Sequence, residues 1–308
     1  MKKILATGVV FVALIFESLA AGLDTARIDE LTGLKGKMNE KEGAYKVTFP
    51  RNDVKVVVDG WTMPPFMGLS TWAAFIETPN GAMVMGDTVL FEDEVNAAMT
   101  AALDNGLNVT ALHNHFFFDQ PKVFFMHVEG EGTLEKLATA VKKVYDTIKP
   151  IRGPNPKPAN TFEQDALIPT SLPEKNSIAA APLNEIFGIQ GESKDGMVKF
   201  TIGRPATMNG VKIDNTMGVN TWAAFAGTDD NAVVDGDFAV TEDELQPVLK
   251  SLLKEKINIV AIHQHMTHEE PRIMFFHYWG RGRAKDLANA IKGGFLVGGL
   301  LKVSSPLP

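Results

Sequence analysis

The feature that most constrains the fold is an internal repeat. Compared with itself at an offset of 150 residues, the sequence matches without a gap over residues 71–142, with about 27 identities in 72 positions. A repeat of this length indicates that one structural unit is made twice. We therefore expect two repeat domains, residues 21–148 and 181–308, each of ordinary domain size. The proline-rich residues 149–180 between them predict an extended linker.

Each half alternates between strand-like and helix-like hydrophobic periods. In the first half, two strand patterns flank the turn "TPNG", and the segment "EDEVNAAMTAALDNG" then has helical spacing. A hairpin and a second helix, "TLEKLATAVKKVYDTI", follow, and a strand near residues 45–50 precedes them all. The order β-ββ-α-ββ-α predicts an α+β fold, in which each half is a two-layer unit with helices on one face of a mainly antiparallel sheet.

The amino terminus has the pattern of a secretory signal peptide. Residues 1–20 contain two lysines, an apolar stretch, and small residues placed for cleavage after Ala20. Glu17 interrupts the apolar stretch before it reaches the roughly 20 residues that a membrane span requires. We expect a periplasmic or secreted protein with no stable membrane anchor after cleavage.

Charge and cysteine content exclude several classes of function. The full chain has a formal net charge of -7, and removal of Lys2, Lys3 and Glu17 with the signal peptide changes it to -8. No cluster of basic residues is present, which argues against nucleic acid as a partner. Because the chain has no cysteine, a metal ion would require histidine, carboxylate or methionine ligands.

Histidines occur in the same pattern in both halves. The first set comes from "ALHNH" and "FFMHVEG", and the second from "AIHQH" and "FFHYWG". Side chains alternate along a strand, so the two histidines of each His-x-His motif share one face. These six residues are the candidate metal ligands: His113, His115, His127, His263, His265 and His277.

The convergence of each set depends on the hairpin register. A hairpin symmetric about Gln120 places His113 opposite His127, and the second copy is symmetric about Glu270 in the same way. Cross-strand neighbours are close enough for their imidazoles to reach one ion. A shift of one residue would send the third histidine to the other face.

Three histidines on one ion leave a fourth coordination position open. This arrangement is typical of catalytic zinc, and copper also accepts imidazole ligands, so zinc or copper is the expected ion. Glu129 is the candidate for a further ligand or a general base. In the second copy Trp279 takes its place, and the turn there offers His268, Glu269 and Glu270 instead.

Other matched residues have more ordinary interpretations. The two "GD" aspartates predict turn or cap residues, with a hydrogen bond to a histidine as the alternative. The matched arginines predict surface ion pairs, the matched tryptophans predict core residues, and "TEDE" predicts a capping box between Thr241 and Glu244. The matched pairs are Asp87 and Asp237, Arg51 and Arg204, and Trp72 and Trp222.

Three functions fit these features. The first is an exported protein that binds a divalent transition metal, with a metal ion or small ligand as its partner. The second is a metal-dependent enzyme, a hydrolase or oxidoreductase, that uses the open coordination position. The third is a non-enzymatic interaction or cell-envelope binding module.

Several segments also resemble a known family of exported bacterial proteins. The succession "GLKGK", "YKVTFPR", "TWAAF", "VMGD", "ALHNH" and "MHVEGEG" is similar to the LppY/LpqO type, which includes mycobacterial putative lipoproteins. The resemblance implies export but supplies no activity. Since this chain has no cysteine for lipid attachment, it implies a soluble periplasmic or secreted product.

Overall fold

The computed structural model describes residues 22–153, 155–161 and 173–301. The expected signal peptide, residues 1–20, lies outside this part of the chain. Within the described ranges, no helix combines the length and the apolar character needed to cross a membrane.

The first half contains three α-helices, nine strands and a short 3-10 helix at Pro65–Met67. In chain order these helices and strands are α1 (Thr25–Thr32), β1 (Lys37–Asn39), β2 (Ala44–Pro50), β3 (Val57–Val58), β4 (Trp61–Thr62), β5 (Ser70–Thr78), β6 (Gly81–Phe91), α2 (Val95–Asp104), β7 (Asn108–His113), β8 (Asp119–Gln120), β9 (Val123–Gly132) and α3 (Leu134–Arg152).

The second half repeats this order, with a 3-10 helix at Asn215–Met217. Its helices and strands are α4 (Ala180–Phe187), β10 (Glu192–Lys194), β11 (Met197–Gly203), β12 (Ala206–Met208), β13 (Val211–Ile213), β14 (Asn220–Thr228), β15 (Asn231–Thr241), α5 (Glu242–Lys254), β16 (Asn258–His263), β17 (Glu269–Glu270), β18 (Ile273–Gly282) and α6 (Ala284–Val297).

One 12-stranded sheet runs through both halves. Its strand order is β1-β2-β5-β6-β9-β7-β16-β18-β15-β14-β11-β10, and its neighbouring strands are antiparallel. The halves meet where Leu112 of β7 pairs with Ile262 of β16. The expected mixed α+β fold with a mainly antiparallel sheet is confirmed.

The helices cover one face of this sheet. Buried strand residues such as Leu112 and Met126 form one apolar cluster with helix residues such as Met99 and Val141, and the cluster includes Phe276 of the second half. The two halves therefore share a single hydrophobic core. We attribute this to the continuous sheet, which places both sets of helices side by side on the same face.

The other face carries the histidines and two small sheets. The sheet β4-β3-β8 and its counterpart β13-β12-β17 lie over this face, each with a separate apolar cluster. Phe125 and Phe275, from the same strands as the third histidines, are buried in these clusters. A two-layer unit does not include this additional cover, which lies beside the histidines and leaves His115 and His265 exposed.

Two matched amides extend the pairing between the halves. Gln246 of α5 accepts a hydrogen bond from the backbone N–H of Val109 at 2.8 Å and donates one to its carbonyl at 2.9 Å. Its counterpart, Asn96 of α2, accepts from the N–H of Ile259 at 2.9 Å and donates to the Asn258 side chain at 2.8 Å. Each amide thus accepts a hydrogen bond from a backbone N–H near the start of the other half's strand. An unpaired N–H at this position would be costly.

A buried ion network corrects the expectation of a surface ion pair at Arg51. Its guanidinium binds both carboxylate oxygens of buried Glu94 at 2.9 Å. Arg152, near the end of α3, donates to the same carboxylate at 2.8 Å and also pairs with Asp93. Two arginines therefore share one glutamate inside the protein, and α3 extends past residue 148, into the predicted linker, to reach it.

The second half has a simpler form of this network. Arg204 pairs with Glu244 and donates a hydrogen bond to the carbonyl of Gly298 at 3.2 Å, and the side chains of Arg204 and Glu244 are partly exposed. Glu244 also completes the predicted capping box with Thr241 at the start of α5, which is confirmed.

The matched glutamates provide a test of the two networks. We expect Glu94→Gln to lower the free energy of unfolding by about 3–5 kcal/mol, because it leaves two buried guanidinium groups without their shared anion. Glu244→Gln, at the partly exposed copy, should cost only about 1 kcal/mol. Urea unfolding of both variants measures the difference, and equal losses would contradict this account of the buried network.

Candidate metal centre

The hairpin register differs from the predicted one. His127 lies opposite Ala111, and His113 lies opposite Phe125, so the expected pairing of His113 with His127 is wrong. The second copy has the same register, with His277 opposite Ala261. The reason is that β8 and β17 leave the hairpin to join the small sheets, so the connection is not a turn centred on Gln120 or Glu270. A bulge on the far side of each alanine then shifts the pairing by one more residue.

The histidines nevertheless share one face, because the register error is an even number of residues. In the first half the ring of His113 lies 5.0 Å from that of His127 and 5.2 Å from that of His115, between centroids. In the second half the corresponding distances from His263 are 4.8 Å to His277 and 5.0 Å to His265. The structure thus brings each predicted set together.

The two clusters differ in how their rings are turned. His113 and His115 are nearly parallel, with 16° between their planes, and face each other. His263 and His265 are tilted by 46°, and their Nε2 atoms lie 3.1 Å apart. Parallel stacked rings direct their nitrogens past each other, whereas the tilted pair directs two nitrogens at one point.

An aspartate completes the second cluster. Oδ2 of Asp237 lies 3.4 Å from Nε2 of His265. One potential ligand atom from each of Asp237, His263 and His265 lies within 4.8 Å of the others, and these three residues could hold a metal ion. Over the described residues, the first half contains no group that meets the same criterion.

Hydrogen bonds to the backbone orient two of these imidazoles. Nδ1 of His265 lies 3.2 Å from the carbonyl oxygen of Gly218, and Nδ1 of His277 lies 3.2 Å from that of Gly236. A carbonyl oxygen accepts only, so we assign the proton of each ring to Nδ1. Nε2 of each ring is then left with a free lone pair, which is the form that coordinates metals.

The positions of Asp87 and Asp237 correct the expectation that they belong to turns or caps. Both lie inside 11-residue strands, β6 and β15, where they pair with His127 and His277 of the neighbouring strands. Both are buried, and Oδ1 of each has no hydrogen-bond partner among the described residues. The alternation of each strand continues through the "GD" pair, and this continuity is the sequence signal that identifies the aspartates as site residues.

Burial dominates the electrostatics of both carboxylates. Loss of solvation raises the pKa of Asp237 to about 7, although the nearby His277 acts to lower it. Loss of solvation also raises the pKa of Asp87, against the opposing effect of His127 and the other two histidines. Burial lowers the pKa of His263 to about 4, with His277 and His265 acting in the same direction. Each cluster therefore contains a carboxylate and imidazoles that lack the solvation their charged forms require.

Glu129 lies farther along β9 than the histidines it was expected to assist. It is exposed and pairs with Asn108, not with Ala111 as predicted. Within the described part of the chain, it belongs to no group that could hold a metal ion. Its proposed role as a ligand or base has no geometric support here.

The acidic turn residues of the second copy have structural partners. Buried Glu269 accepts a hydrogen bond from the N–H of Ile273 at 3.1 Å, as Asp119 does from Val123 at 2.7 Å. The matched positions thus stabilise the same turn. Neither Glu269 nor Glu270 joins the cluster of Asp237 among the described residues.

The matched tryptophans border the histidine face and do not fill the helix-covered core. Trp72 and Trp222 are half-buried and pair with Asp87 and Asp237 across the sheet. The ammonium group of Lys46 lies 4.1 Å from the centre of the Trp72 ring. The expectation that these residues are core side chains is therefore wrong, since the strand register places them on the other face.

Comparison with known families identifies the repeat unit. A family model described as Domain of Unknown Function (DUF1259) matches residues 26–147 and 181–295. The chain belongs to this DUF1259 family. The two matched regions coincide with the two halves of the sheet, which supports a duplication of the DUF1259 unit.

Other comparisons add no functional information. No curated protein matches the sequence. One solved structure, a trimeric bacterial microcompartment shell protein PduB, is 10% identical, with coverage of 85% of this chain and 89% of that chain. Its TM-score of 0.22 is too low to relate the two folds.

The burial of Asp237 predicts that its carboxylate lowers the free energy of unfolding of the metal-free protein. With a chelator present, we expect Asp237→Asn to raise the free energy of unfolding by on the order of 1–2 kcal/mol, because it removes a buried and incompletely hydrogen-bonded charge. Asp235→Asn, an exposed change on the same strand face, should alter stability by less than about 0.5 kcal/mol. Urea unfolding measures both, and a loss of stability in Asp237→Asn would contradict the assigned cost.

Proposed function

We propose that this protein binds one divalent transition-metal ion through Asp237, His263 and His265. The supporting observation is the spacing of the ligand atoms. Two ligands about 2.0–2.1 Å from a tetrahedral ion lie roughly 3.3 Å from each other. The separations of 3.1 Å between Nε2 of His263 and His265, and of 3.4 Å between Nε2 of His265 and Asp237, are close to this value.

Electrostatics support the same assignment. With its proton on Nδ1, His265 carries its lone pair on Nε2, 3.4 Å from the carboxylate of Asp237, so two electron-rich atoms are adjacent. A cation between them would remove this repulsion.

The donor set favours zinc, with copper as the second choice. Two imidazoles and one carboxylate form a common set of zinc ligands that leaves one coordination position open. Copper also accepts imidazole, and the chain has no thiolate to select a softer ion. His277 is stacked on His263 at 4.8 Å and is not among the three grouped ligands.

The first-half cluster serves as the matched control. Protein purified without a histidine tag should contain about one equivalent of zinc or copper per chain by elemental mass spectrometry. We expect the double variant His263→Ala, His265→Ala to lose this metal, because both converging nitrogens are removed. The variant His113→Ala, His115→Ala should retain it, because its rings are stacked face to face.

Two results would count against this site. Equal metal content in the two double variants would show that binding does not depend on His263 and His265 more than on His113 and His115. Loss of metal only in the His113→Ala, His115→Ala variant would assign the ion to the first-half cluster. Circular dichroism of both variants checks that the comparison is made between folded proteins.

We also propose that the protein is exported and acts in the periplasm or outside the cell, as the LppY/LpqO resemblance implies. The support is the sequence of residues 1–20, with its lysines, apolar stretch and small residues before Ala21. Expression in a bacterial host should yield a product whose intact mass corresponds to a chain beginning at Ala21. A product in the cytoplasm that retains Met1 or Lys2 would refute this proposal.

A further inference from the structure

A cavity of about 530 Å³ lies at the junction of the two halves. Its walls come from the start of α2, the linker residues 159–161, and strands β9, β15, β16 and β18. This volume is within the range of roughly 300–1,000 Å³ that is usual for small-molecule sites, which often lie between domains. His277, next to the proposed metal ligands, lines one side.

The linker makes this cavity asymmetric. Ala159 donates its backbone N–H to Asp93 at 2.9 Å, and Asp93 in turn pairs with Arg152 at the end of α3. The buried network around Glu94 thus holds Ala159 of the linker against the start of α2. Because the linker occurs once in the chain, the repeat supplies no second copy of residues 159–161.

The charged side chains of the cavity are acidic. Glu92, Asp93 and Asp235 line it, and its described lining residues include no lysine or arginine. Arg152 pairs with Asp93, and Lys122 lies close enough to Glu92 to act on its charge, so Asp235 and Glu92 are the cavity carboxylates without an ion pair in the described part of the chain. Loss of solvation raises the pKa of Glu92, against the opposing effect of Lys122, and both Glu92 and Asp235 remain exposed at the rim of the cavity.

The remaining wall is apolar and includes the rings of Phe124 and Trp279. Val95, Phe124 and Ile259 line the cavity with Trp279, the residue that replaces Glu129 of the first half. An indole face attracts organic cations through its quadrupole, and carboxylates attract them through charge. Asn160 adds an amide group that could hydrogen-bond to a ligand.

We propose that this cavity binds a small organic cation, with an ammonium group near Glu92 and Asp235 and an apolar body against Trp279. The site is separate from the three metal ligands. It requires no metal ion, so the two proposals can fail independently.

Three probes with one carbon skeleton test the proposal: phenylpropylamine, phenylpropanol and phenylpropionate. They carry a positive, a neutral and a negative group, respectively. Isothermal titration calorimetry of the full chain, with chelator present, should show the amine binding roughly tenfold more tightly than the alcohol. The carboxylate should bind most weakly of the three.

Matched variants locate the binding site. Glu92→Gln and Asp235→Asn should each weaken binding of the amine by roughly five- to tenfold, with little effect on the alcohol. Glu242→Gln changes the repeat counterpart of Glu92, which does not line the cavity, and should leave the affinity unchanged. Trp279→Leu should weaken amine and alcohol alike, and Trp279→Phe should largely restore both.

The proposal is overturned if the amine does not bind, if it binds no better than the alcohol, or if Glu242→Gln has the same effect as Glu92→Gln. Repeating the titration with zinc-loaded protein separates this result from the metal proposal. Amine binding that survives in the His263→Ala, His265→Ala variant would support the cavity even if no metal is found.

Discussion

The pairing of β7 with β16 is the constraint on which the rest of the structure depends. It joins two copies of one unit into a single sheet, and the amides of Asn96 and Gln246 extend the contact where backbone pairing stops. The shared core follows, because helices from both halves lie on the same face. The location of the histidine clusters also follows, since each third histidine lies on a strand next to one of the two joined strands.

The two clusters show how copies of one arrangement can acquire different chemistry. Their strands, register and buried aspartates match, but the tilt between the first two rings differs by about 30°, from 16° to 46°. That rotation decides whether nitrogens converge on one point or pass each other. In the second half, the carbonyl of Gly218 holds His265 in place, and the 3-10 helix that ends at Met217 delivers this carbonyl.

Much of the fold could be predicted from the sequence, because the repeat and the hydrophobic periods are strong signals. That the three histidines of each half share one face of the sheet was also predictable, since an error of two residues in the register preserves the face of every side chain. The aspartates were misjudged because "GD" is common in turns, and only the full length of β6 shows that the strand continues through it. The burial of Arg51 could not be predicted, because Glu94 and Arg152 approach it from distant parts of the chain.

The linker that joins the two halves affects which amino-acid substitutions the two sites can acquire. In a dimer of identical subunits, each substitution appears at two equivalent places, so neither site can change without the other. Fusion of the halves removes that restriction: Trp279 can stand where the other half has Glu129, and Ala159 can cover one side of the junction alone. A single residue change therefore alters one site per molecule, which lets one copy preserve the scaffold while the other acquires a new ligand.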